Sequence, residues 1–248
     1  MKTIDQKQLY EYVENNISLF HQRRLDYVQS KVDLPKILKQ KNPYLFRAKN
    51  VLTAQDLIKG FFDALLSSQE ETLFGDFMEG LAIFVCDRVH GAKKSKLTGV
   101  DLEFEKDGAM YIVEIKAGWN WGNSSQLKQL RINFANAKKL LRANGIKKVV
   151  AVNGCCFGTD NKPDKGDYLK LCGRRFWELI SNDTNLYKEI IEPIGHEAKQ
   201  KNEEFLENYA QIINKLTLEF SQNFCTDGKI NWEKLVEYNS GFEKITKK

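Results

Sequence analysis

Two carboxylates and an ammonium group lie in neighbouring strand-like segments of the stretch 99–118, GVDLEFEKDGAMYIVEIKAG. Asp101 begins the first segment, and Glu114 and Lys116 end the second. Adjacent carboxylates repel each other unless a proton or a cation lies between them. A hard divalent cation, typically Mg²⁺, binds such oxygen ligands. Lys116 would then lie beside the metal and could orient a water or help to deprotonate it, so these residues predict a metal-dependent catalytic site.

A β-hairpin is needed to bring the three residues together. Asp107-Gly108 between two alternating segments is a strong signal for a two-residue loop, because both central residues of a type I′ turn need positive φ. With this loop, Asp101 lies opposite Glu114, and Lys116 shares their face because it is two residues further along. The opposite face is expected to be buried and comprises Val100, Leu102, Phe104, Tyr111, Val113 and Ile115.

The alternative is an ordinary surface hairpin whose acidic and basic residues have no catalytic role. The pattern Glu-x-Lys recurs at Glu197-Ala198-Lys199, in a stretch with helical spacing, so this pattern alone is weak. The Asp on the paired strand, in register with Glu114, favours the metal site.

The distribution of charge points to a polyanionic substrate. The net charge is only +5, but residues 115–159 contain no Asp or Glu. The same window holds eight basic residues, immediately after the predicted metal site. A basic region beside a carboxylate site favours a phosphate-bearing partner. A solvated, lysine-rich helix face is the alternative.

Composition excludes several other classes. No segment reaches the roughly 18 apolar residues of a membrane span, and the acidic, polar start of the chain lacks the apolar stretch of a signal peptide. Five cysteines without a Cys-x-x-Cys pair make a zinc site unexpected and favour reduced thiols. We therefore expect a cytoplasmic protein without a membrane partner.

The order of elements predicts an α/β fold. The first ninety residues have helical spacing, with one helix starting near Thr53 and another over about 72–89. Glu79 lies in the second, almost entirely apolar helix, where a carboxylate needs a partner. It is either a third metal ligand or half of an ion pair.

After the hairpin, Ser124 or Ser125 is expected to cap a helix, and residues 147–154 are expected to form a buried strand. A mixed β-sheet flanked by helices is predicted. We expect a single domain over 1–248, with a helical part at 1–70, a catalytic core at 71–155 and a mainly helical part at 156–248.

The hairpin residues resemble the PD-(D/E)xK nuclease superfamily. Asp101, Glu114 and Lys116 match its motif, whereas Val100 stands at the place of the leading proline, which ligates nothing. Three longer stretches are similar to type II restriction endonucleases, in particular the PmeII-type group. They are VEIKAGWNWGNSSQ, YLKLCGRRFWELIS and NPYLFRAKN. The resemblance covers roughly residues 40–210.

This resemblance implies a restriction-endonuclease-like core with helical N- and C-terminal extensions. It also implies a Mg²⁺-dependent nuclease that cleaves double-stranded DNA at a short specific sequence and leaves 5′-phosphates. Asp101 and Glu114 would bind the metal with the carbonyl of Ile115, and Lys116 would position the water. A cognate DNA methyltransferase would be the genetic partner. A structure-specific repair or recombination nuclease and a non-catalytic DNA-binding protein are the alternatives.

Polar and basic residues after the hairpin are candidates for DNA binding. Amides can read base edges, and a helix N-terminus can meet a phosphate. Helix capping is the alternative for the serines, and exposed ion pairs are the alternative for Arg174 and Arg175. We expect Trp119 and Trp121 to pack rather than to stack. The candidates are Asn120, Asn123, Ser124, Ser125, Gln126, Lys128, Arg131, Arg174 and Arg175.

A homodimer is expected from the restriction-enzyme interpretation. One chain offers one metal site, and two copies related by a twofold axis would cut both strands of a near-palindromic site. The apolar stripe of an N-terminal helix over 4–20 or of a long helix over 196–224 could form the shared surface. The alternative is that both stripes pack on the core of their own chain.

Overall fold

The computed structural model describes residues 2–196 and 198–241, which form ten helices and seven strands. The helices are α1 Gln6–Ser30, α2 Leu34–Gln40, α3 Pro43–Ala48, α4 Ala54–His90, α5 Ser124–Ala143, α6 Arg174–Ser181, α7 Leu186–Glu189, α8 Ile191–Gly195, α9 Ala198–Phe224 and α10 Trp232–Ser240. The strands are β1 Lys93–Lys94, β2 Leu102–Lys106, β3 Ala109–Lys116, β4 Val149–Cys155, β5 Leu169–Cys172, β6 Cys225–Thr226 and β7 Lys229–Ile230.

A five-stranded mixed sheet contains the predicted hairpin. Its order is β1-β2-β3-β4-β5, with antiparallel pairs up to β3 and parallel pairs from β3 to β5. Helix α5 connects the parallel strands β3 and β4, as a parallel connection requires. The predicted α/β fold with a mixed sheet and flanking helices is confirmed.

The predicted hairpin register is also confirmed. Leu102 pairs with Val113, and the pairing continues to the turn without a bulge. Asp107 and Gly108 have φ values of 50° and 70°, as the type I′ turn requires. The sequence of the turn and the alternation of its flanks therefore position the strands.

The prediction that only one face of the hairpin is buried is wrong. Ile112 lies on the same face as Glu114, and its side chain is fully buried against Leu130 and Phe134 of α5. Val100, which was expected on the opposite face, belongs to the same cluster of buried residues. The reason is the parallel β3–β4 connection, which places a helix over the face that was expected to be open. The charged residues therefore lie at the carboxyl end of β3.

The two helices expected between residues 53 and 89 are one continuous helix, α4. Thr53 starts it as predicted, because its Oγ1 accepts a hydrogen bond of 3.0 Å from the backbone N–H of Asp56. No proline interrupts the 37 residues that follow, so nothing ends the helix between its polar middle and its apolar second half.

The chain divides into two compact units. The first, here called the sheet unit, comprises Met1–Ser18 and Phe74–His196; the second, the helical unit, comprises Leu19–Leu73 and Glu197–Lys248. The sheet unit contains the five-stranded sheet, and the helical unit contains the β6–β7 hairpin. The expected single domain with its three parts stays a prediction.

The long C-terminal helix α9 uses its apolar stripe within its own unit. Phe205, Leu216 and Phe220 are buried in a core that α2, α4 and α10 complete. The structure therefore shows the alternative in which this stripe packs on the core of its own chain, whereas the homodimer stays a prediction. Residue 197, in the predicted range 196–224, lies outside the described residues.

On α1, Leu9, Val13 and Ile17 are likewise buried, so the stripe over 4–20 is no spare surface either.

Of the helices in the described part of the chain, none combines the length and apolar character that a membrane span needs.

Candidate active site

Asp101 is fixed by backbone contacts just before β2. Its backbone N–H donates to the carbonyl of Val113 at 2.8 Å. Its Oδ2 accepts a hydrogen bond of 2.7 Å from the backbone N–H of Ile115. The carboxylate therefore lies against the β3 segment that carries Glu114, as the register predicts.

Glu114 carries a buried carboxylate of which only one oxygen has a polar partner. Its side chain is 13% exposed, and Oε1 lies 2.7 Å from Nζ of Lys116. Its Oε2 is buried and has no hydrogen-bond partner within the described residues. Burial raises the pKa of Glu114, Lys116 opposes this, and the charge of Asp101 raises the pKa further. A buried, unpaired oxygen of this kind favours a nearby proton or cation.

Lys116 is held between the carboxylate and an indole ring. Its Nζ lies 4.9 Å from the ring centroid of Trp121. The indole Nε1 of Trp121 donates to Oδ1 of Asn153 at 3.0 Å. Trp121 is thus packed, as predicted, and its packing orients the catalytic candidate Lys116.

Asn153 is the residue that the sequence interpretation missed. It is fully buried on β4, directly opposite Glu114 in the parallel register. Its Nδ2 donates to the carbonyl of Glu114 at 3.3 Å. The only sequence signal is an amide that directly follows the apolar residues VVAV in the segment KKVVAVNG. One buried amide therefore links the backbone at Glu114 to Trp121.

Glu79 on α4 lies close enough to the site to interact with its charges. Burial raises the pKa of Glu79, the charge of Asp101 raises it further, and Lys94 opposes the rise. One Glu79 oxygen lies 3.8 Å from Nζ of Lys94, so the ion-pair alternative is present. Within residues 2–196 and 198–241, no three His, Cys, Asp or Glu side chains are grouped so as to hold a metal. The metal-binding roles of Asp101, Glu114, Ile115 and Glu79 stay predictions.

The cap of α5 differs from the one expected. Asn123, rather than a serine, is the N-cap: its Oδ1 accepts from the backbone N–H groups of Ser125 and Gln126, both at 3.1 Å. The side chain of Gln126 returns a contact, because its Oε1 accepts from the N–H of Asn123 at 2.9 Å. This reciprocal capping box satisfies more N–H groups than a serine at either following position could.

The DNA-binding candidates are all exposed. Those at the start of α5 follow β3, and those at the start of α6 follow β5. Because these strands are parallel, both groups emerge at the carboxyl edge of the sheet. The ion-pair alternative is present for Arg174, which lies 3.8 Å from Glu178, and Arg131 contacts Asp167. DNA contact by the nine residues stays a prediction.

Comparison with known proteins identifies the family. Residues 7–202 of the 248 match the sequence model described as Type II restriction endonuclease EcoO109I. No curated protein matches the chain. The restriction-endonuclease fold predicted for the sheet and its helices is thereby confirmed, whereas the narrower PmeII-type assignment stays a prediction. With well over half of its length matched, the chain belongs to the type II restriction endonuclease EcoO109I family and is a site-specific deoxyribonuclease.

Proposed function

We propose that this protein hydrolyses both strands of double-stranded DNA at a short specific sequence, using Mg²⁺ and leaving 5′-phosphates. One observation carries the proposal. The buried Oε2 of Glu114 has no partner within the described residues, beside a second carboxylate and a lysine. Family membership favours this function over the repair-nuclease and non-catalytic alternatives.

The residues of the site fit a hard divalent cation. Asp101 and Glu114 offer carboxylate oxygens, and the carbonyl of Ile115, the residue after Glu114, is a further oxygen ligand. A cation would remove the cost of the buried charge on Glu114. When bound, Mg²⁺ would supply a water of lowered pKa and neutralise charge on the phosphate.

The protein groups around the carboxylates are preorganised. Ile115 holds Asp101 through its N–H, so this carboxylate is fixed before DNA binds. Lys116 is the cation that would orient the attacking water and stabilise charge on the phosphoryl oxygens. Trp121 and Asn153 position Lys116 and the backbone of Glu114. Fixed donors of this kind avoid reorganisation during the reaction.

DNA would lie across the carboxyl edge of the sheet. Arg174, Arg175 and Gln126 are the proposed base or phosphate contacts, with the other candidates on α5. Because a double-strand cut needs two sites, we include a homodimer in the proposal. A cognate methyltransferase would protect the host sequence, and a cytoplasmic location is part of the same proposal.

Digestion of plasmid DNA tests the activity. Wild-type protein with Mg²⁺ should give discrete fragments whose ends carry 5′-phosphates, and EDTA should abolish cleavage. Asp101→Asn should be inactive, whereas Glu105→Gln, an exposed change on the same hairpin, should cleave normally. Cleavage in EDTA, or by Asp101→Asn at the wild-type rate, would contradict the proposed site.

Metal binding has an independent readout. A ligand that binds only the folded state raises its melting temperature. Mg²⁺ should therefore raise the melting temperature of the wild-type protein more than that of Glu114→Gln. Light scattering on the free protein and on its metal-free DNA complex tests the dimer, and a monomer in both would contradict it.

A further inference from the structure

Two large aromatic rings are exposed at the carboxyl ends of β3 and β4. The side chain of Trp119 is 47% exposed and that of Phe157 is 56% exposed. Each ring lies over the glycine beside the other: a Cβ added at Gly118 would clash with Phe157, and one added at Gly158 would clash with Trp119. The sequence favours packing for Trp119, but the structure leaves nearly half of this side chain open.

The loops that carry the rings are tied together. The backbone N–H of Phe157 donates to the carbonyl of Ala117 at 3.1 Å, which extends the β3–β4 ladder beyond both strands. Nζ of Lys170 donates to the carbonyl of Trp119 at 2.7 Å and lies 5.9 Å from its ring centroid. The rings are therefore held in place before any ligand arrives, which lowers the entropic cost of binding.

Basic residues lie at the same edge of the sheet as the two rings. Trp119 lies three residues after Lys116, and Arg174 and Arg175 begin α6 at the same edge of the sheet. The nearest acidic residue along the chain, Asp160, already lies 3.0 Å from Nζ of Lys165. Flat apolar faces among cations match a ligand with aromatic planes and negative charge. The nucleotides of DNA carry both features, because each base is joined through its sugar to a phosphate.

We propose that Trp119 and Phe157 form a base-stacking platform for nucleobases of the DNA strand that is cut. Duplex bases are stacked on each other, so a base must leave the stack to reach the rings, and it would do so next to Lys116. The position of the cut rests on the proposed function; the stacking itself does not. Base–aromatic stacking typically strengthens binding by roughly fivefold to a hundredfold per base.

Two single strands of equal charge isolate the contribution of the bases. The first is an oligothymidylate, and the second has the same length but carries abasic tetrahydrofuran units. Binding is measured by fluorescence anisotropy in EDTA, so no cleavage occurs. Wild-type protein should bind the thymidine strand roughly fivefold more tightly or better.

Variants then assign the preference to the rings. Trp119→Ala and Phe157→Ala should each lose most of the preference while keeping their affinity for the abasic strand. Trp119→Phe should retain it. Tyr44→Ala provides the matched control, because Tyr44 is 61% exposed in the helical unit. Unchanged melting temperatures would show that the variants fold.

The outcomes separate this proposal from the proposed function. Equal binding of the two strands by wild-type protein, or an undiminished preference in both alanine variants, would overturn the platform. Neither result depends on cleavage. Conversely, cleavage by Asp101→Asn would overturn the catalytic site and leave the thymidine preference intact.

Discussion

Two hairpins in the described part of the chain turn on the same Asp-Gly dipeptide and differ in the length of their strands. Asp107-Gly108 connects β2 to β3, and Asp227-Gly228 connects β6 to β7. Their φ values agree closely, at 50° and 70° for the first turn and 49° and 74° for the second. The first hairpin has strands of five and eight residues, whereas both strands of the second have two.

The difference lies in whether a further strand pairs with the hairpin. β3 pairs with β4 along seven residues, up to Lys116, whereas β6 and β7 form a sheet of two strands. The dipeptide therefore determines the chain reversal, but a further neighbouring strand is needed to hold charged side chains at fixed positions. Asn153 shows this directly, because it reaches the backbone of Glu114 from β4.

Removal of the catalytic candidates should produce the largest contrast between the hairpins. Lys116→Ala and Glu114→Gln should each lower the cleavage rate roughly a hundredfold or more, since Lys116 would stabilise the charge developing on the phosphate and Glu114 would bind the metal. Lys229→Ala, an exposed change on the second hairpin, should have no effect on plasmid cleavage.

Gel shifts in EDTA should show near-normal DNA binding for these variants, because phosphate contacts dominate affinity. Cleavage by Lys116→Ala or Glu114→Gln within about tenfold of wild type would show that the assigned role is wrong.

Strain in the two turns should be similar, because the turns are similar. A Cβ at Gly108 or Gly228 would meet nothing within 4 Å, so only the positive φ opposes a side chain. Gly108→Ala and Gly228→Ala should each lower the free energy of unfolding by about 1–2 kcal/mol.

Chemical denaturation measures both losses, and Gly108→Asn should lose less, since Asn tolerates this conformation. A loss at only one turn would show that the hairpins are not equivalent even locally.

The first hairpin was predictable and the second was not. Asp-Gly between alternating segments predicted the register from Leu102 to Lys106, but two-residue strands offer no alternation to detect. The burial of Ile112 was missed for another reason. Alternation reveals which residues share a face, whereas the helix that covers a face depends on the distant pairing of β3 with β4.

The same limit applies to the candidate site. The residue types and register of Asp101, Glu114 and Lys116 follow from the hairpin alone, so the sequence could bring them together. The contributions of Asn153, Trp119 and Phe157 depend on the alignment of β4 with β3. That alignment involves residues more than thirty positions apart, and no local pattern encodes it.

A capped helix follows each hairpin, and the two caps should contribute alike. Asn123 caps α5, and Asn231 caps α10 by accepting from the N–H of Lys234 at 3.0 Å. Asn123→Ala and Asn231→Ala should each cost about 1 kcal/mol of stability.

Asn123→Asp should keep the cap but lose the amide donor. If Asn123 also contacts DNA, the aspartate variant should bind DNA more weakly than wild type at equal stability. Unchanged affinity would restrict Asn123 to capping.

The smallest expected effect is the pH dependence of stability at Glu114, for which two contributions oppose each other. Burial raises the pKa of this carboxyl in the folded state, so the folded protein binds a proton more readily than the unfolded chain. The penalty for the buried charge is present above the folded-state pKa. It disappears as the pH falls through that pKa towards the ordinary range of glutamates. Glu114→Gln removes this penalty but also removes the ion pair with Lys116.

We therefore expect the melting temperature of Glu114→Gln, relative to wild type in EDTA, to be most favourable at neutral pH and to decline on acidification. Asp227→Asn in the exposed second turn supplies the matched control, and its difference from wild type should stay small throughout. A relative melting temperature for Glu114→Gln that rises as the pH falls would mean that the Lys116 ion pair outweighs burial. The carboxylate would then be stable without a metal ion, and the unpaired Oε2 would no longer favour metal binding.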